Sequence, residues 1–392
     1  MTDRLAEARD LLRRFPLVDG HNDLPWELRD QFGGDPARAN LAEPVATTQT
    51  DLPRLAAGGV GAQFWSVFVP ATFTGHAAVT TVLEQIDIAH RMIQHYPDRL
   101  ELALSAGDVE RIFASGKVAS LLGAEGGHAI ASSLGVLRAL HALGVRYLTL
   151  THNANVDWAD SATDEPRAGG LTSFGREVVR EMQRIGMLVD LSHVSAATMR
   201  GALDVAEAPV IFSHSSARAL CDNPRNVPDD VLERLAANNG VCMVTFVPAF
   251  VSQDCSDWLA GLIAETERRG LDPRDLSQRQ SVAGDWGARH PSPEVTLAQV
   301  ADHIEHVRAV AGIEHVGIGG DYDGSAAFPE GLADVSCYPA LFAELLARGW
   351  SEKDCAALAG GNILRVLRDA EAAAGGGPGT EPDAGPGPGA GD

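Results

Sequence analysis

The chain of 392 residues carries 53 acidic against 31 basic side chains, a formal charge of −22 at pH 7. That excess excludes partners held by neutralising phosphates, nucleic acid first among them, because they need a basic surface. Hydrophobic residues at 45% and charged residues at 21% are ordinary for a soluble globular protein, and no apolar run approaches the ~18–20 residues of a membrane span.

In chain order, the opening "MTDRLAEARD" reads as a charged amphipathic helix without the apolar core of a signal peptide, so the expected location is cytoplasmic. Short apolar runs, often β-branched, follow at residues 17–18, 62–69, 118–124 and 145–151, and then at 187–192, 209–213, 241–246 and 315–320. Runs apolar on both faces suit strands buried on both sides of a parallel sheet. Helical patterns lie between them, among others at 80–95, 134–143, 173–185, 196–205, 231–238 and 297–311. Eight strands alternating with helices predict the α/β class and a (β/α)8 TIM barrel, with a doubly wound open sheet as the alternative. Residues 1–372 form one catalytic domain in this reading. A long polar insertion around 247–293 is placed to act as a lid. From 373 to 392 the composition turns to Gly and Pro, which predicts a disordered tail. The five cysteines (Cys221, Cys242, Cys255, Cys337, Cys355) are odd in number and contain no Cys-x-x-Cys. They form neither a disulfide framework nor a zinc-thiolate site and are read as reduced and mostly buried.

Catalytic groups of a barrel enzyme sit just past the C-terminal ends of the strands. Those ends here carry His21 and Asp23 in "VDGHNDLPW", Glu125 in "LLGAEGGHAI", His152 in "LTHNANVDWAD", His193 in "LVDLSHVS", His214 in "VIFSHSSARAL" and Asp321 in "GIGGDYDG". Each alone has an ordinary structural reading, but imidazole plus carboxylate is the ligand set of zinc and similar divalent ions. In an extended chain residues i and i+2 share a side, so His21 and Asp23 aim at one ion. His193 and His214, from adjacent strands, form a second corner. Neither Lys117 nor Lys353, the two lysines of the chain, is placed to supply a carboxylated bridge. Glu125 is placed for it, with glycines behind it that let the backbone turn tightly.

Together with "LTLTHNANVDWADS" and "RNVPDD", these motifs resemble those of the membrane (renal) dipeptidases, binuclear zinc members of the amidohydrolase barrel superfamily, over residues 15–368. The resemblance implies two divalent ions per chain, zinc being the expected metal. His21 and Asp23 would hold one, His193 and His214 the other, with Glu125 bridging. It further implies Asp321 at the bridging water, His152 on the substrate and Arg225 near the substrate carboxylate. Secreted mammalian relatives carry a leader, a lipid-anchor signal and disulfides. None is visible here, and Ala154 stands where they place a half-cystine. The expectation is therefore a soluble protein with small dipeptides as partners and no membrane or nucleic acid; a homodimer is compatible with it.

The implied reaction is hydrolysis of L,L and L,D dipeptides with a free C-terminal carboxylate, by a metal-bridging hydroxide. His152 would bond the oxyanion, and Asp321 would carry the proton to the leaving amine. Arg225 would hold the terminal carboxylate by a two-point contact, its rival reading being a salt bridge to Asp229 or Asp230. Asp321 follows directly on the strand and is preferred for the catalytic role over Asp323, which is read as shaping the turn. Asp19 and Asp190 are read as partners behind the ligand histidines, and His128, His303, His306 and His315 as structural. Other functions left open are a lactonase or phosphotriesterase, a mononuclear deaminase, and a non-catalytic metal-binding scaffold.

Overall fold

The computed structural model of the protein describes residues 2–375. Nine strands are present: β1 Leu17–Asn22, β2 Val60–Phe68, β3 Leu100–Leu102, β4 Val118–Glu125, β5 Val145–Thr149, β6 Leu188–Asp190, β7 Ile211–Phe212, β8 Val241–Val244 and β9 Val316–Ile318. All pairings between them are parallel. The order runs β2-β1-β9-β8-β7-β6-β5-β4, and β2 pairs back onto β4 from Ala62↔Ala119 to Phe68↔Glu125, which closes a ring of eight. Helices surround the ring, so the protein is a (β/α)8 barrel and not the open sheet. The ninth strand, β3, was not expected; it lies along the first residues of β4, from Leu100↔Val118 to Leu102↔Ser120.

Strand alternation divides the core into two layers. In β4, Ala119 and Leu121 face the barrel interior with Val18, Phe64, Tyr147 and Met243, and the last helix, Asn362–Gly375, packs Ile363 and Leu367 against the same cluster. Leu122 and Ala124, one residue out of phase, face the surrounding helices. Period two therefore carries 119, 121, 123 and 125 to the interior. Glu125 ends the strand at the mouth of the barrel.

The opening helix spans Thr2–Arg14. All five cysteines are free, four of them buried. No helix among the described residues is long and apolar enough to cross a membrane. The insertion consists of helices Pro248–Val251, Gln253–Arg268 and Leu276–Arg289. Of the segment read as a disordered tail, residues 373–375 complete the last helix, and the remainder lies outside the described residues.

Candidate metal centre

Glu125 is the hub of the barrel mouth. Its Oε2 lies 3.5 Å from His21 Nε2, and its Oε1 lies 3.0 Å from His193 Nε2 and 3.6 Å from His214 Nε2. His21 Nε2 is also 3.2 Å from Asp23 Oδ2 and 3.9 Å from Asp321 Oδ1. The two oxygens of one carboxylate thus face two separate sets of nitrogens. A tetrahedral ion with ~2.0–2.2 Å bonds separates its ligands by roughly 3.3–3.6 Å, and the spacings here, from 3.0 to 3.9 Å, straddle that range.

Two of the histidines, His21 and His214, are oriented from behind, whereas His193 Nδ1 has no partner. Tyr147 donates its hydroxyl to Gly20 O at 3.2 Å and lies 2.8 Å from His21 Nδ1. The hydroxyl proton being so used, Nδ1 is the donor to Tyr147, which leaves the Nε2 lone pair of His21 aimed at Glu125 and Asp23. His21 Nε2 is buried without a hydrogen-bond partner, a position an ion would fill. For His214, Ser213 Oγ donates to Asp190 Oδ2 at 2.6 Å and accepts from Nδ1 at 2.8 Å. Asp190 is itself held by Thr149 Oγ1 at 2.5 Å and by the backbone N–H of Ser192 and Ser213. Such relays fix the tautomer and the ring of a metal-binding histidine. Asp190 therefore acts through Ser213. Asp19 contacts the backbone of His21 rather than its ring, and its carboxylate ties Gly320 N–H and Tyr338 Oη at 2.8 and 2.6 Å.

Local backbone explains how these side chains converge. The register of β1 on β2 slips between Asp19 and Asn22, the stretch that carries His21, and such irregularities re-aim side chains next to active sites. His21 accordingly lies within β1 and not beyond it. Asp23 is no longer extended: it is the N-cap of helix Leu24–Phe32, yet makes no side-chain cap bond, which frees its carboxylate for His21. His193 and Asp321 have φ of 66° and 64°, a left-handed conformation rare outside glycine. Gly126, with φ 107°, makes the turn after Glu125. Close packing sets two more positions. A Cβ on Gly123 would lie 2.0 Å from the Tyr147 ring, and one on Gly324 would lie 2.3 Å from Asp23 Oδ2 and 2.4 Å from Asp321 Oδ1.

Burial dominates the electrostatics. It holds His152, His193 and His214 well below the ordinary histidine range, in the neutral form that coordinates a metal. It pushes Glu125 and Asp321 upward. His21 moves the other way: burial disfavours its charge, but Tyr147, Glu125 and Asp23 together raise it well above the usual range. The cluster demands positive charge beside the His21 ring, and a cation can supply it. Neutral imidazoles, buried carboxylates and an orphaned ring nitrogen together fit divalent metal ions.

His152 stands at the edge of this arrangement, its Nε2 3.9 Å from Glu125 Oε1 and its Nδ1 without a partner. Like His193, it lacks the relay that orients His214, and its ring packs edge-on against Phe68 at 4.9 Å. Arg225 is 2% exposed, and neither Nη1 nor Nη2 has a hydrogen-bond partner. Its rival reading as a loop salt bridge fails, since Asp230 pairs with Arg200 and Asp229 with His306, each at 2.8 Å. The guanidinium lies 5.0 Å over the Phe250 ring, from the first helix of the insertion. Asp323 turns away from the cluster and accepts from Gln49 N–H at 2.6 Å. His128, His303 and His315 bond backbone groups, as structural residues do. Tyr147, Ser213, Gly123 and Gly324 were not singled out from the sequence. The one visible signal was a hydroxyl residue directly before His214.

The sequence model of the membrane dipeptidases, peptidase family M19, matches residues 5–378. Dipeptidase 3 of Macaca fascicularis is 45% identical over 374 residues, covering 94% of this chain and 68% of that protein. Dipeptidase verJ of Clonostachys rogersoniana is 42% identical over 384 residues, covering 95% of this chain and 88% of that one. Among solved structures, the probable dipeptidase PvdM from Pseudomonas aeruginosa is similar with a TM-score of 0.82 at 25% identity, over 95% of this chain and 99% of that one. The matched stretch contains all nine strands and every residue of the cluster. The chain belongs to the membrane dipeptidase family, peptidase family M19, and is a hydrolase of the metallopeptidase kind.

Proposed function

We propose that the protein hydrolyses dipeptides with a free C-terminal carboxylate, both L,L and L,D, using two zinc ions held by His21, Asp23, Glu125, His193 and His214. The observation that carries this reading is Arg225. A guanidinium buried beside the cluster with no anionic partner is costly unless a ligand supplies the anion. A terminal carboxylate matches its fork with two parallel hydrogen bonds. Two divalent ions at this site would supply a water of lowered pKa as nucleophile and polarise the scissile carbonyl.

The chain's own groups do the rest. Arg225 fixes one end of the substrate, so that a dipeptide places its single amide over Glu125 and longer peptides do not. His152, kept neutral by burial, offers one N–H to the oxyanion that develops on the carbonyl oxygen. Asp321, with its side chain 13% exposed and so open to substrate, accepts the proton of the nucleophilic water and passes it to the leaving nitrogen. Phe250, from the first helix of the insertion, backs Arg225. A screen of L,L and L,D dipeptides with zinc-loaded protein, run beside lactones and phosphotriesters, tests the reading. Release of free amino acids from both dipeptide sets is expected; turnover of a lactone with no dipeptide cleaved would contradict it.

A further inference from the structure

The two halves of the metal centre differ in donor chemistry, and the reaction described so far treats them alike. Around His21 the donors are mainly oxygens. Asp23 Oδ2 lies 3.2 Å from His21 Nε2, Glu125 Oε2 3.5 Å and Asp321 Oδ1 3.9 Å. Donor atoms of His21, Asp23 and Asp321 all lie within 4.8 Å of one another. Around Glu125 Oε1 the donors are nitrogens: Nε2 of His193 at 3.0 Å, of His214 at 3.6 Å and of His152 at 3.9 Å. The His193 ring packs against the His152 and His214 rings, with centroids 4.4 and 5.0 Å away. His21 and His214, with centroids 4.0 Å apart, are where the two positions meet. One position thus sets three carboxylates around a single imidazole; the other sets one carboxylate among three imidazoles.

The fold itself assembles each set. Parallel pairing of β1 with β9 continues past the strands: Asp321 N–H donates to His21 O at 3.2 Å, and Asp23 N–H donates to Tyr322 O at 2.9 Å. These two backbone bonds bring Asp23 and Asp321 to the same side of His21. Gly324 leaves room for both carboxylates, since a Cβ there would lie within 2.4 Å of each. The nitrogen set is held by the loop after β5. Ser161 Oγ donates to His152 O at 2.6 Å, and the next residue, Ala162, donates its N–H to His193 O at 2.8 Å. One stretch of backbone therefore keeps His152 and His193 side by side.

Imidazole suits zinc, whereas carboxylate and water suit manganese and magnesium. We propose that the position of His193 and His214 is selective for zinc and that of His21 and Asp23 accepts manganese. A chain given limited zinc and ample manganese then holds one ion of each, and the centre stays binuclear when zinc is scarce. The inference deepens the two-metal reading and rests on it. Excess zinc still fills both positions, because zinc outranks manganese on nitrogen and oxygen donors alike. What differs is the margin, wide among three imidazoles and narrow among three carboxylates. The rings also differ from behind: Tyr147 Oη lies 2.8 Å from His21 Nδ1, while His193 Nδ1 is buried without a partner. A missing partner weakens any metal at the second position, so it cancels when zinc and manganese compete there.

The test strips the full-length protein of metal, adds one equivalent of zinc, then excess manganese, and removes unbound ions. Elemental analysis and electron paramagnetic resonance read the result. The wild type should hold about one zinc and one manganese per chain, with nearly all the manganese giving the signal of an isolated ion. Random mixing would give the same average content, but some chains would then hold two manganese ions bridged by Glu125, with an exchange-coupled signal. His193→Glu, which places an oxygen at about the reach of Nε2, should make those coupled pairs appear. With manganese alone, the wild type should fill in two steps about 10- to 100-fold apart, and the steps of the variant should converge. The wild-type signal carries the test even where the variant fails to fold. Coupled pairs in the wild type at the share expected of random mixing, manganese steps of equal affinity, or isolated manganese only in folded His193→Glu would overturn this inference alone. A total of one ion per chain under every metal supply would remove the two-metal reading and this inference with it.

Discussion

Asp321→Asn is expected to keep its metal ions and lose about 10²- to 10⁴-fold in kcat, the usual worth of a positioned acid or base. The amide retains an oxygen in the place of Oδ1, so contacts near His21 survive, but it can neither accept nor return a proton at neutral pH. Asp323→Asn, two residues away, should cost far less. Its Oδ1 accepts from Gln49 N–H, and Gln49 Oε1 accepts from the Asp323 N–H at 2.7 Å, two bonds that the amide can preserve. Both carboxylates follow β9 and both have φ of 64°; only Asp321 comes within 3.9 Å of the His21 ring. Turnover and metal content of the two variants check this together. A larger loss in Asp323→Asn, or loss of metal in Asp321→Asn, would make Asp321 a ligand or a bystander rather than the proton carrier.

Arg225→Met is expected to lower kcat/KM for a good dipeptide by about 2–5 kcal/mol of transition-state stabilisation, the range for one partner of a buried charge pair. Methionine keeps much of the length and the apolar packing against Phe250 while removing the charge. Because the native guanidinium is buried without a partner, its removal relieves a cost in the ligand-free protein, so thermal stability should hold or rise. A fall in activity caused by unfolding is thereby told apart from loss of the anchor. The wild type should also reject the same dipeptide with its C-terminus amidated, and the variant should lose most of that discrimination. Equal wild-type rates on acid and amide would rule the anchor out.

The barrel was legible because strands buried on both faces stay mostly apolar, as 62–69 and 118–124 do despite Gln63, Ser66 and Ser120. The exceptions are local. β3 has three residues and leans on β4, too short to print a pattern. The run at 209–213 shrinks to Ile211–Phe212, since Ser213 is drawn into the relay behind His214. The first strand extends past Val18 through Gly20 and His21, where polar and small residues hide its continuation. At the site, the side chains with metal-binding chemistry could be found by type and spacing. What holds them could not. Tyr147 reads as one more aromatic strand residue, and its role depends on Gly123 leaving room for the ring. The partnerless state of Arg225 depends on where every nearby acid went, which no spacing in the chain records. The last helix of the insertion reads as polar because it buries little: Val282 is the one buried residue of Leu276–Arg289.

Metal stoichiometry of the wild type and of Glu125→Gln by elemental analysis tests the two-metal account most directly. The carboxylate faces His21 with one oxygen and His193 and His214 with the other. A neutral amide offers one oxygen and no net charge in its place. The wild type should carry about two divalent ions per chain, chiefly zinc, and Glu125→Gln should retain about one or fewer after dialysis. A wild type that binds a single ion, or a Glu125→Gln variant that holds two tightly, would contradict it.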